Sequence, residues 1–227
     1  SLLGSSLQSE STVWMILIIY ASVLLPVAWL LCLGLPSYEN VSSDEVLPAF
    51  VIPQFPPILI CICIFTSGIA MVEGAMADWA SVYVKEMHGS ETRGTGYGFG
   101  FFAAFMAIGR FSGDNLKIKL GTILVARIFV TTSILGLIIL VTANNFWLAL
   151  LGFALTGLGI SVGFPLAVTS AVSIDEKRET SYVAFLSLIA LIGFLVGPPI
   201  IGLLADLTSL KTGLTILFPG LLLSLFM

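Results

Sequence analysis

The sequence predicts an all-α fold, a polytopic helical bundle built to sit in a lipid bilayer. Three observations carry that prediction. Of 227 residues, 58% are hydrophobic and only 10% charged, against about a quarter charged in a soluble domain; the mean hydropathy is +1.09. Apolar runs of about 20 residues, roughly one bilayer crossing, recur along the whole chain. None of them alternates polar and apolar as a barrel strand would. The net charge of −4 comes without a basic stripe, so no surface is offered to nucleic acid.

The expected spans, in order, begin with Thr12–Leu35, an uninterrupted apolar run. Pro57–Val84 follows and carries two carboxylates, Glu73 and Asp78. Gly96–Asp114 ends in a charged turn, and Thr122–Thr142 is apolar throughout. Phe146–Ser173 holds a glycine-rich stretch before Pro165; Ser181–Asp206 holds Pro198 and Pro199; Thr212–Met227 is short for a crossing. Prolines at these places remove backbone donors and should bend their helices. Connections are short except for 36–56, PSYENVSSDEVLPAFVIPQFP, whose Pro, Ser and acid content reads as a flexible linker. Residues 1–35 then close one unit and 57–227 form the main bundle. The chain opens on Ser and stops inside an apolar run, and is expected to be part of a longer protein.

Orientation follows from bases near span ends. Arg110, Lys117, Lys119, Arg127, Lys177 and Arg178 lie on one side, and Lys85, Arg93 and Lys211 on the other. The bias places the linker, the turn near Asp114 and the loop DEKRE in the cytoplasm. Cys32, Cys61 and Cys63 all lie in apolar runs and read as small core or lipid-facing residues. The single histidine, His88, is in a polar loop, so no metal site is expected.

Two turns echo each other. Gly113–Asp114–Gly121 and Ala205–Asp206–Gly213 each place an Asp, after a small residue and seven positions before a Gly, between two spans. Three spans separate them, which puts them on opposite sides of the membrane, as in bundles made of inverted three-helix units. Gly159 and Gly163, and Gly193 and Gly197, are spaced four apart, and each pair is expected to form a groove for a neighbouring helix.

The two carboxylates of the second span are not a pair. Asp78 lies five residues beyond Glu73, about 7.5 Å along the axis and about 140° around it. Glu73 shares its face with Ala77 and Ala80; Asp78 shares another with Gly74 and Ser81. An acid at mid-span commonly marks a transport path, so Glu73 is the candidate substrate or proton site. Asp78 is expected to reach interfacial water or pair with Lys85. Trp79 and Tyr83 share a third face with Met76. Their depth favours an aromatic belt; stacking on a sugar ring makes both candidate binding residues beside Glu73. In GRFSGDNLKIKLG, Asp114 can accept hydrogen bonds from a helix N-terminus and Arg110 can pair with a carboxylate on another helix. Such contacts would latch one face of a transporter shut.

That last stretch resembles the signature cytoplasmic loop of the major facilitator superfamily (MFS), G-x-x-x-D-R/K-x-G-R/K-R/K. The match starts at Gly109 or Gly113, with Asp114 as its acid and Lys117 and Lys119 among its bases. Asn115 stands where a base is often found, and the spacing to Gly121 differs. GLGISVGFPLAVTSA is similar to the tenth helix of that superfamily and GFLVGPPIIGLLADLT to its eleventh. EGAMADWASVYV resembles the seventh helix of bacterial sugar-permease-like members. The likeness spans essentially the whole chain, from the sixth helix to part of the twelfth. It implies the C-terminal half of a secondary transporter that moves a small organic solute, sugar-like or another metabolite, by alternating access. Its partners would be the solute, the lipid bilayer of a bacterial inner membrane or plasma membrane, and the N-terminal half of the same protein. It implies no enzyme activity and no cofactor. Coupling to protons would run through Glu73, and the DEKRE residues Asp175, Glu176 and Arg178 would join the inner charge network. The competing classes fit less well. An intramembrane aspartyl protease resembles Gly-x-Gly-Asp, whereas Phe111-Ser112-Gly113 precedes Asp114. A seven-helix receptor leaves the inverted echo and the acidic linker without a role.

Overall fold

The computed structural model describes Ile18, Ser22 and Pro26 and then residues 56–88, 94–175 and 178–226. Most of the first expected span, the linker up to residue 55, and Glu176 lie outside the described residues. The rest is all-α: α1 (Pro57–His88), α2 (Gly96–Leu120), α3 (Thr122–Thr142), α4 (Phe146–Ile160), α5 (Gly163–Val172), α6 (Glu179–Leu207), α7 (Leu210–Leu214) and α8 (Leu217–Phe226).

Six of the expected spans are present, with three corrections. Gly96–Asp114 does not end at Asp114; the helix runs on through Leu120 and stops at Gly121, whose φ of +81° only glycine adopts freely. Lys117 and Lys119 occupy its last turn, where cations favour the negative end of the helix dipole. The fifth expected span is two helices, broken at Ser161 and Val162, one turn before Pro165. The proline has no N–H for the Ser161 carbonyl, so the ladder opens there. Pro219 likewise follows by one turn the break between α7 and α8. Pro198 and Pro199, in contrast, sit inside the continuous α6. Side-chain caps start two helices: Asn145 accepts from the Leu148 amide at 2.9 Å, and Ser209 from the Thr212 amide at 3.2 Å.

Four segments are long and apolar enough to cross a membrane: Pro57–Met87, Thr122–Thr142, Phe146–Val172 and Glu179–Leu207. Phe111, Ile118, Trp147 and Leu207 are each at least 74% exposed, a surface that suits lipid and would be a liability in water. The chain is a multi-pass integral membrane protein.

Contacts fix the two ends of the bundle. At one end the Tyr83 hydroxyl of α1 donates to the Leu140 carbonyl of α3 at 2.5 Å, and the Lys211 ammonium of α7 donates to the Ala143 carbonyl. At the other end Ile58, Thr122, Ser173 and Ser224 line one cavity. The helix end near Asp114 therefore lies at the opposite end from the helix end near Asp206, as the echo predicts. Packing follows the same exchange. The contact of α1 with α6 is mirrored by that of α4 with α2, and the contact of α1 with α8 by that of α4 with α3. A Cβ at Gly74 of α1 would collide with the Phe194 carbonyl of α6, and a Cβ at Gly157 of α4 with the Phe102 carbonyl of α2. Phe102 and Phe194 are 92 positions apart, as are Asp114 and Asp206.

The core runs along α1 through Val72, Ala75, Met76, Ala80 and Tyr83, the last meeting Phe153 edge-on at 5.6 Å. Tyr83→Phe should lower the unfolding free energy of the purified protein by about 1 kcal/mol, the usual worth of one hydrogen bond. Ser133 of α3 is fully buried and its hydroxyl has no partner among the described residues. Ser133→Ala should therefore leave stability unchanged or raise it by about 1 kcal/mol, since no hydrogen bond is lost; a clear drop in the thermal midpoint would contradict this.

Candidate functional site

The site is built around a charge near the middle of α1. Glu73 lies about as far from Pro57 as from His88. Because α2 continues to Leu120, Arg110 is not in a turn at the helix end, as its charged surroundings imply. It sits ten residues before the helix end, about 15 Å inside it. There Arg110 Nη2 lies 3.7 Å from Glu73 Oε1. The carboxylate partner that Arg110 was expected to have is thus the candidate transport acid itself. The two side chains are 52% and 36% exposed, so the pair lies at an open face of the bundle.

Glu73 lines a cleft of about 380 Å³ between α1, α5 and α6. Thr66 and Ala70 of α1 and Ser187, Leu191 and Phe194 of α6 share the wall, and Phe164 of α5 completes it. The sequence reading missed Thr66, Ser187, Phe164 and Phe194. The signal was present: Thr66, Ala70 and Glu73 follow the i, i+4, i+7 spacing of one helix stripe, and so do Ser187, Leu191 and Phe194. What sequence lacks is which two stripes face each other.

A second cleft, about 430 Å³, adjoins the first across Phe194 and is lined by Asp78, Trp79, Pro198, Pro199 and Gly202. Asp78 forms no ion pair with Lys85 among the described residues; it faces α6 instead. Trp79 donates from its indole nitrogen to the Pro198 carbonyl at 3.0 Å, and its ring lies against Gly202. Tyr83, expected either in a belt or on a solute, is neither. It is 2% exposed and held on Leu140, so its ring has no free face. A larger cavity, about 660 Å³, lies at the Gly121 end among Phe65, Ile123, Arg127 and Ser170. It touches none of the candidate site residues, although Cys61 and Arg127 are on its wall.

The signature-like stretch is helix rather than turn. Gly109 and Gly113 are buried and seat Ser161 and Val162, the two residues at the break between α4 and α5. Asp114 is exposed, and its carboxylate has neither an ion pair nor a hydrogen bond among the described residues; the expected cap on a neighbouring helix is not formed. Asp175 pairs with Arg178 at 3.7 Å, three residues apart on the surface, a contact of small energetic weight. Gly193 and Gly197 form one groove, receiving α1 at Ser67 and Met71. Gly159 and Gly163 do not form one groove: Gly159 meets α3 at Phe129 and Ser133, and Gly163 meets the Ile69 side chain of α1. The helix break between them turns them to different neighbours.

Among the described residues no cluster of His, Cys, Asp and Glu is arranged to hold a metal ion. The fold and the ion pair between α1 and α2 define a polytopic helical membrane protein with a charged cleft. No family model matches the chain. Over 164 residues, 72% of its length, it is 32% identical to an uncharacterized MFS-type transporter of Yersinia pestis, covering 42% of that protein. It is 29% identical over 161 residues to an uncharacterized transporter of Sinorhizobium fredii, covering 71% of this chain and 42% of that one. It is 32% identical over 144 residues to the membrane protein MosC of Rhizobium meliloti, covering 63% of this chain and 35% of that one. The resemblance to the major facilitator superfamily is borne out by these relatives. The chain spans less than half the length of the curated relatives it matches. Two of the three are named as transporters, and none is named as an enzyme.

Proposed function

We propose that the chain is the C-terminal half of an MFS secondary transporter, moving a small organic solute by alternating access. Residues 57–227 would be the six-helix half, 36–56 the cytoplasmic linker, and 1–35 the last helix of the preceding half. The observation that carries this reading is the Glu73–Arg110 pair beside a cleft between α1, α5 and α6. An acid and a base deep in a membrane are costly, and a transport path is their commonest reason. The inverted packing of α1–α3 against α4–α8 supports it, since such repeats hold a midplane site between two rocking halves. Glu73 is the solute or proton site, with Trp79 beside it in the adjoining cleft. The exposed residues between 109 and 121, with Asp175 and Arg178, would form the inner face that closes against the other half; Glu176, expected with them, lies outside the described residues.

The test is a thermal-shift screen of solutes on the complete protein, followed by uptake into liposomes of any solute that stabilises it. Glu73→Gln is expected to abolish the dependence of uptake on a proton gradient. Full proton-driven uptake by that variant would rule out Glu73 as the coupling acid. Stabilising solutes that never accumulate would sink the transport reading itself.

A further inference from the structure

The hydrogen-bonding capacity of the Glu73 cleft is one-sided. The Thr66 hydroxyl donates to the Ile62 carbonyl at 2.7 Å, and the Ser187 hydroxyl donates to the Val183 carbonyl at 2.8 Å. Each hydroxyl has one proton, and each spends it on its own helix, leaving only lone pairs to offer. Glu73 is an acceptor as well. Among the described residues its single contact is with Arg110, 3.7 Å long, which leaves most of a carboxylate's four or so acceptor positions unused. The other walls are hydrocarbon, including the rings of Phe164 and Phe194. Among its lining residues the cleft therefore holds three side-chain acceptors, Glu73, Ser187 and the nearly fully buried Thr66, and no side-chain donor; the Arg110 guanidinium stands at its edge, facing Glu73.

Resting on the reading of this cleft as the solute site, we infer that its occupant is a small organic ammonium ion. An ammonium nitrogen brings only donors and a positive charge, the complement of what Thr66, Ser187 and Glu73 present. Its polarised C–H shell suits the negative faces of aromatic rings such as Phe164 and Phe194. A carboxylate, phosphate or sulfate would meet only acceptors among the lining side chains and would have to draw Arg110 away from Glu73 to find a donor. A neutral polyol satisfies the acceptors but forgoes the charge-assisted bond to Glu73.

The experiment uses the complete protein in lipid nanodiscs and matched solutes that differ in one functional group. Two suitable sets are glucosamine, glucose and glucuronate, and putrescine, 1,4-butanediol and succinate. Binding is read by calorimetry. In at least one set the ammonium member should bind about tenfold or more tightly than its partners, the scale of one charge-assisted hydrogen bond. Glu73→Asp should keep that preference and Glu73→Gln should erase it. A carboxylate or hydroxyl member that binds as tightly overturns the inference while leaving the cleft a solute site. An ammonium preference untouched by Glu73→Gln also overturns it, because the cation would then sit elsewhere. If no member of either set binds, both the inference and the solute-site reading fall. The comparison within the unsubstituted protein stands whether or not the Gln variant folds.

Discussion

Gly74→Val and Gly157→Val should each prevent the bundle from assembling. Both glycines meet a carbonyl oxygen of a neighbouring helix: Phe194 of α6 for Gly74, and Phe102 of α2 for Gly157. Backbone stands on both sides, so no side chain can swing away and one helix must move out. Overpacking a well-filled core costs about 1–3 kcal/mol and occasionally more. Alanine here belongs at the upper end of that range, and valine beyond it. The Gly74 contact has a further cause. Pro198 has no N–H, so the Phe194 carbonyl one turn before it lacks its helical donor. That oxygen lies where a Cβ of Gly74 would stand, so only glycine leaves room for it. The control is Gly163→Ala, whose Cβ would meet only the far end of the Ile69 side chain, a group that can change rotamer. Thermal unfolding in detergent should show large losses at positions 74 and 157 and a small one at 163. Equal losses at all three would show that the helix backbones are not in the contact described.

Arg110→Met should reduce the amount of folded protein and cut uptake more than tenfold, and pairing it with Glu73→Gln should restore folding but not uptake. Removing the guanidinium alone leaves a carboxylate without compensation at mid-membrane depth, which is worse than having neither charge. The double variant removes that penalty, so monodisperse protein should return to near the original yield. If Glu73 is the proposed solute or proton site, uptake should stay low because its charge is still missing. Size-exclusion profiles and liposome uptake measured on the same four proteins separate the two roles. Recovery of uptake along with folding would make the pair purely structural.

Much of this was legible in the chain. The apolar runs between Pro57 and Phe226 place six helical segments, and the matched aspartates at 114 and 206 anticipate the inverted packing. Glu73 could be singled out from its depth alone. These are properties of one helix at a time: length, composition and the 3.6-residue period act locally and survive whatever packs alongside. The errors came where local charge was taken for a helix end. Arg110, Asp114, Lys117 and Lys119 look like a surface turn, yet α2 continues through them to Gly121. Helix continues as long as backbone bonds are available, and polar side chains do not stop it; the glycine at positive φ does.

Tertiary structure alone decided which groups meet. Glu73 and Arg110 are on different helices, and their approach depends on the rotation and register of α1 against α2, which no period in either reveals. Tyr83 and Trp79 share a face of α1, yet one is pinned on Leu140 and the other on Pro198, because α3 and α6 flank that face on different sides. Thr66 and Ser187 became acceptors only because their protons are spent on Ile62 and Val183. The chain's own pattern settles what crosses the membrane and where charge enters it. The arrangement of helices settles what that charge faces, because a carboxylate's role is set by the atoms within a few ångströms and those belong to other segments.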